Sequence, residues 1–180
     1  MEKTARDWQI FLRERNGTRR LVNLARQQTL MTVKGTVTSI KPFDHITLHD
    51  LKTILRSFEG QILQTPPSFS ALKKNGRRLS DLARQGMVLD IKPRHVVIHS
   101  ITLDSLLPPF FTLSVHCSSG TYIRSLVHDI GSKVRSAAHV RALCRTRQGP
   151  FVLADALKED DWSLQKIIMA IEMFTPKLHD

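Results

Sequence analysis

Two short stretches hold the residues whose types and spacing invite chemistry. The first is CSSGTYIRSLVHDIG, Cys117–Gly131, in which Tyr122, the only tyrosine in the chain, stands two residues from Arg124. A guanidinium in the first turn of a helix gains nothing from the helix dipole. Arg124 therefore calls for a carboxylate or a phosphate, either of which matches its planar fork. Tyr122 admits two readings: a core ring with a satisfied hydroxyl, or a ring on which a nucleic-acid base stacks, worth about 1–3 kcal/mol. The second stretch is TPPSFSALKKNGRRLSDLARQG, Thr65–Gly86, where Lys73, Lys74, Arg77 and Arg78 flank Asn75-Gly76. Four cations on one tight turn repel each other unless an anion lies near. They form either a solvated loop or a contact for a phosphate backbone.

The elements that must position these residues are unevenly marked. Phe110–Cys117 alternates cleanly, with Phe111, Leu113, Val115 and Cys117 on one side and Thr112, Ser114 and His116 on the other, which predicts a strand with one wet face. Ser118-Ser119-Gly120 turns the chain into a helix burying Ile123, Leu126, Val127 and Ile130, with Gly131 permitting a break. A second helical piece is expected over SAAHVRALCRTRQG, ended by Gly149-Pro150, and a short strand over 151–153. Upstream, Thr47 and Asp50 form a capping box for a helix whose buried stripe is Leu51, Ile54, Leu55 and Phe58, with Ile46 and Leu51 as its hydrophobic staple. Asn75-Gly76 predicts a hairpin turn, with 69–73 alternating as a strand and Ser80 capping a two-turn helix that ends at Gly86. Strands are expected over 35–40 and 94–103, and Ser163 is expected to cap a last helix carrying Leu164, Ile167, Ile168 and Ile171. Residues 1–34 read as helical pieces around Trp8, Phe11, Leu12, Leu21, Leu24 and Ala25, broken by Asn16-Gly17. Together these elements predict an α+β fold, a mostly antiparallel sheet with helices packed on it.

Composition narrows the partners. The formal charge of +11 is uneven: residues 73–147 hold 13 Lys/Arg against 4 Asp/Glu, whereas residues 148–180 hold 3 against 6. A basic middle with an acidic tail is either a solvated surface or the footprint of a polyanion, nucleic acid above all. Cys117 and Cys144 lack CxxC spacing and read as thiols of a reducing compartment. The eight scattered histidines supply no zinc-ligand spacing, so no metal is expected. The apolar run near the N-terminus is too short and too charged for a secretory signal, and Glu2, Asp7 and Glu14 speak against a transit peptide. The compartment expected is intracellular, nucleus or cytoplasm rather than mitochondrion, with no membrane association.

Four blocks, GTVTSIKPFDHIT, QTPPSFSALKKNGRRLSDLARQG, CSSGTYIRSLVHDIG and HVRALCRTRQGPF, stand in the order and spacing of the TruB family. In these blocks the chain resembles the eukaryotic TruB-like tRNA pseudouridine synthases, which isomerise the T-loop uridine. The resemblance runs from Gly35 to about Ile171. It implies a catalytic domain in which a uridine leaves the RNA stack. A catalytic Asp then acts on it while an Arg holds that carboxylate by an ion pair. By motif match Arg124 is that arginine, Tyr122 lies close to the flipped nucleotide, and Leu143 is the apolar residue packing against the site. The resemblance implies tRNA as partner, with messenger RNA left open as a further substrate, no cofactor and no metal, and a monomer when the domain is complete. Lys73, Lys74, Arg77 and Arg78 are then RNA-binding.

The resemblance has a boundary. The family's nucleophile lies in a Gly-x-Leu-Asp-Pro block upstream of the Gly-Thr-Val block, and this sequence contains no Asp-Pro pair. Its Lys-x-Tyr strand is also missing, and the two aspartates that precede the Gly-Thr-Val block fall on Thr29 and Thr32. Residues 1–34 are thus an unassigned segment, and 35–180 the C-terminal portion of a TruB-type catalytic domain. The expectation is a family isomerase that as it stands is inactive, a truncated or alternatively spliced product or a misassigned reading frame, with an open sheet edge and exposed apolar surface. The alternatives are a non-catalytic RNA-binding or tRNA-folding module, or an enzyme completed by an unusual N-terminal half or another chain.

Overall fold

The computed structural model describes residues 8–11, 22–24, 26–28 and 37–174. The first of these lie in three strands: β1 (Trp8–Phe11), β2 (Val22–Leu24) and β3 (Arg26–Gln28). Then follow β4 (Val37–Ile40), α1 (Leu48–Arg56), β5 (Gly60–Gln64), β6 (Lys73–Lys74), β7 (Arg77–Arg78) and α2 (Leu79–Arg84). The rest is β8 (Arg94–Leu107), β9 (Phe110–Cys117), α3 (Ile123–Lys133), β10 (Ala138–Val140), β11 (Cys144–Gln148), β12 (Phe151–Val152) and α4 (Leu164–Phe174).

The fold is α+β, with every strand pair antiparallel. Among the described residues, eight strands form one sheet centred on β9. One side of β9 pairs with β8, which pairs in turn with β5. The other side pairs with β1 and β2 laid end to end, Trp8 opposite Cys117 and Asn23 opposite Phe110. β1 continues to β11 and β12, and β2 to β10. The helical pieces expected in residues 1–34 are therefore strands wherever that segment is described; residues 1–7, 12–21, 25 and 29–36 lie outside the described residues, with Asp7, Thr29, Thr32 and Gly35. β1 has a ladder partner on both sides, and long-range backbone pairing of that kind overrides a weak local helical pattern.

The core sits on one face of the sheet. Phe111, Leu113, Val115 and Cys117 of β9 and Ile98 and Ile101 of β8 pack with Leu51, Leu55 and Phe58 from the α1 side and with Ile123, Leu126, Val127 and Ile130 of α3. α1 begins as expected. Thr47 Oγ1 accepts from the Asp50 N–H at 3.1 Å, and the Asp50 carboxylate accepts from the Thr47 N–H at 3.3 Å. The other face of β9 is less wet than the alternation predicts, since Thr112 is buried and accepts a bond from the Ser105 hydroxyl.

Gly131 permits no break; it is a point of close approach inside α3. A Cβ there would stand 2.5 Å from the Ala138 nitrogen, so β10 lies directly against the helix. This contact explains the second correction. The expected helix over 136–149 is two strands, β10 buried throughout and β11 alternating with Arg145 and Arg147 outward. The alternating arginines carried a period of two that the helical reading overlooked.

Two further expectations change in detail. Residues 69–71 bend rather than form a strand. Ser80 does not cap α2; the Leu79 and Ser80 N–H groups are taken by the carbonyls of Leu72 and Ser70, and the helix starts two residues earlier, with Arg78 as its N-cap. Ser163 does cap α4, accepting from the Lys166 N–H at 3.3 Å, but Leu164, Ile167, Ile168 and Ile171 keep 39–76% of their surface exposed. Among the described residues no helix is long and apolar enough to cross a membrane, and no group of three His, Cys, Asp or Glu is placed to hold a metal.

Candidate functional site

The site is built where the end of β5 and the loop after it meet the start of α3. Tyr122 is the N-cap residue of α3, half-buried, with no side-chain cap bond. Its peptide is held instead by Gln64, the last residue of β5. The Tyr122 N–H donates to Gln64 Oε1 at 2.8 Å, and Gln64 Nε2 donates to the Tyr122 carbonyl at 3.2 Å. Gln64 is 2% exposed. It opens the block QTPPSFSALKKNGRRLSDLARQG, but sequence reasoning gave it no role. The available signal was GQILQ itself, whose alternation sets Gln64 on the same face as the half-buried Ile62, a polar residue in an inward row.

The loop that follows continues the contact. Pro66 and Pro67 are buried and have no N–H. The neighbouring carbonyls accept from α3: Thr65 from the Ser125 hydroxyl at 2.8 Å, and Phe69 from the Arg124 guanidinium at 2.8 Å. Burial pushes the Arg124 guanidinium below its ordinary pKa, and the nearby Tyr122 phenol offsets part of that. A guanidinium carries five N–H donors, so a bond to one carbonyl is compatible with bidentate pairing to a carboxylate or phosphate. The adjacent Ser70 hydroxyl is buried and is the one orphaned side-chain polar atom found among the described residues.

The basic turn grows out of the same loop. Lys73 pairs with Arg78 and Lys74 with Arg77 across β6 and β7, so each cation stands opposite another. Asn75 and Gly76 take φ of 51° and 78°, the left-handed turn that Asn-Gly favours. All four cations are exposed. Lys74 Nζ donates to the Asp90 carbonyl at 3.1 Å and Arg77 to Gln85 Oε1 at 2.8 Å, so neutral oxygens tie down two of the charges without cancelling them. Like charges directly opposite each other destabilise a hairpin. Leu143 lies in the loop between β10 and β11 and is 49% exposed, next to Arg141, whose guanidinium lies 5.2 Å from the centre of the Phe110 ring. The structure thus joins Tyr122, Arg124 and the root of the hairpin through one loop, and places Leu143 in a different one.

Comparison with known proteins decides the relationship. Residues 2–123 match the family model of the TruB family pseudouridylate synthase N-terminal domain, and residues 124–179 that of the tRNA pseudouridylate synthase B C-terminal domain. The chain belongs to the TruB family. The two TruB matches meet between Ile123 and Arg124, inside the continuous helix α3, and the first takes in residues 2–34. Pseudouridylate synthase TRUB1 of Mus musculus is 51% identical over 146 residues, 80% of this chain and 43% of its own length. A tRNA pseudouridine synthase B of Syntrophotalea carbinolica is 34% identical over 169 residues, 94% of this chain and 52% of its own. The TruB-family chain therefore spans about half or less of the curated relatives it matches. Among solved structures, a Cbf5-Nop10-Gar1 complex aligns with a TM-score of 0.58 at 22% identity, covering 86% of this chain and 34% of that one, so the two share a fold.

Proposed function

We propose that this chain forms the uridine-holding part of a tRNA pseudouridine synthase, an isomerase that turns a T-loop uridine into pseudouridine. The observation that carries the reading is the continuity of one element. Arg124 is bonded to Phe69, and four residues later the same loop becomes the hairpin of Lys73, Lys74, Arg77 and Arg78. A phosphate backbone following the hairpin would deliver a flipped base toward the Tyr122 end of α3. In this reading Tyr122 lies beside the uracil and Arg124 orients a catalytic carboxylate. Leu143 is the apolar residue that packs against the site, and no cofactor or metal takes part. The reading puts the protein inside the cell, in nucleus or cytoplasm, and leaves messenger RNA open as a further substrate.

Because the sequence has no Asp-Pro pair, the chain by itself is expected to bind such RNA without turning it over. Tritium release from a T-arm stem-loop labelled at uracil C5 tests this, and turnover by the 180-residue chain alone would refute the claim of inactivity. A second reading, a non-catalytic tRNA-binding or tRNA-folding module, is favoured by the cation pairs facing each other across β6 and β7, which bind RNA whether or not chemistry follows. The two readings part when the chain is supplied with the missing carboxylate segment: the synthase reading expects turnover, the module reading none.

A further inference from the structure

Gln64 makes an unusual contact for a side chain. One carboxamide meets both the N–H and the C=O of a residue 58 positions away, as a neighbouring strand would. The residue so held is the N-cap of α3, with φ −101° and ψ 104° and no side-chain cap of its own. The Tyr122 carbonyl also accepts the Leu126 N–H at 3.0 Å, so Gln64 Nε2 joins the first turn of the α3 ladder to the end of β5. The chemistry of the contact selects glutamine. A glutamate could accept but not donate, an asparagine is shorter by one methylene, and a methionine has the size without either bond. A buried glutamine needs its hydrogen bonds in any position; here both fall on the peptide that sets the direction in which Tyr122 and Arg124 leave the helix.

We propose that Gln64 is a positioning residue for RNA, holding the Tyr122 peptide from both sides so that the Tyr122 ring and the Arg124 guanidinium face one pocket. The proposal rests on the reading of Tyr122 and Arg124 as uridine-facing residues. Misplacement of about 1 Å at such a site is enough to cost a large factor in function. Thr65 and Phe69 reinforce the hold through Ser125 and Arg124, but only Gln64 touches the Tyr122 backbone in both directions.

The single tyrosine makes the test direct. The full chain labelled with 15N-tyrosine shows one tyrosine amide, that of Tyr122. In Gln64→Met its hydrogen exchange is expected to quicken about tenfold. Binding of a T-arm stem-loop RNA is expected to weaken by roughly tenfold with the salt slope unchanged, since the phosphate contacts lie on the hairpin. Gln165→Ala, an exposed change on α4 that leaves both Gln64 bonds in place, is expected to move neither reading by more than about twofold. Unchanged exchange in Gln64→Met, or faster exchange with unchanged RNA affinity, overturns the proposal. Should Gln64→Met fail to fold, Gln64→Glu, which keeps the acceptor and loses the donor, decides on the same two readings. Failure of both to fold makes Gln64 a stability residue only and also overturns it. An unsubstituted chain that binds no RNA removes the underlying functional reading, an outcome seen before any substitution is made.

Discussion

The loop from Thr65 to Leu72 divides two regions that use polar groups in opposite ways. On its buried side Gln64, Ser125 and Arg124 spend their hydrogen bonds on backbone groups of fixed position. On its exposed side Lys73, Lys74, Arg77 and Arg78 are arranged so that each cation faces another. The first arrangement fixes geometry and depends little on salt. The second costs stability when nothing is bound and gains when a polyanion screens it. Under the proposed function a site that catches a charged chain and then holds one base in register needs both, and here the two arrangements sit a few residues apart.

The contrast can be broken at either end. Leu126 is fully buried beneath the site, and Leu126→Ala is expected to cost about 3 kcal/mol of stability. Chemical denaturation measures that loss, which carries no change in the salt slope of RNA binding. Replacing Lys73, Lys74, Arg77 and Arg78 together by glutamine is expected to do the reverse. RNA affinity should fall roughly a hundredfold at moderate salt and the slope of log K against log salt should shrink by about 3, with stability unchanged or slightly raised. A large loss of stability there would show that the hairpin also supports the fold.

Ser70→Ala sharpens the boundary between the regions. Removing a buried hydroxyl without a partner should leave stability unchanged or raise it by about 1 kcal/mol, read as a shift in denaturation midpoint. A clear loss would mean that the hydroxyl is satisfied in solution. The smallest effect is expected far from the site, at the α1 capping box. The bond from the Thr47 hydroxyl, then that from its N–H, holds the Asp50 carboxyl below the ordinary carboxylate range. A depressed pKa stabilises above the unfolded value and is lost as pH falls through the folded one. The difference in melting temperature between the parent chain and Asp50→Asn, present at neutral pH, should therefore close in acid.

What could be read from the sequence was whatever carried its own period or its own punctuation. The α1 capping box, the α3 stripe of Ile123, Leu126, Val127 and Ile130, the Phe111–Cys117 alternation and the Asn75-Gly76 turn are all local, because helix and strand periods and left-handed turns act within a few residues. The motif residues Tyr122 and Arg124 and the four hairpin cations were likewise visible as side-chain types at fixed spacing. Tertiary structure decided the rest. β1 and β2 are strands because β9 offers them an edge 87 or more residues away, and β10 is a strand because Gly131 leaves room for Ala138 against α3. Gln64 becomes part of the site only when β5 and α3 meet, since a carboxamide does not announce in sequence which peptide it will hold. Sequence determined which residues are candidates for the chemistry, and long-range contacts determined which of them the fold brings together.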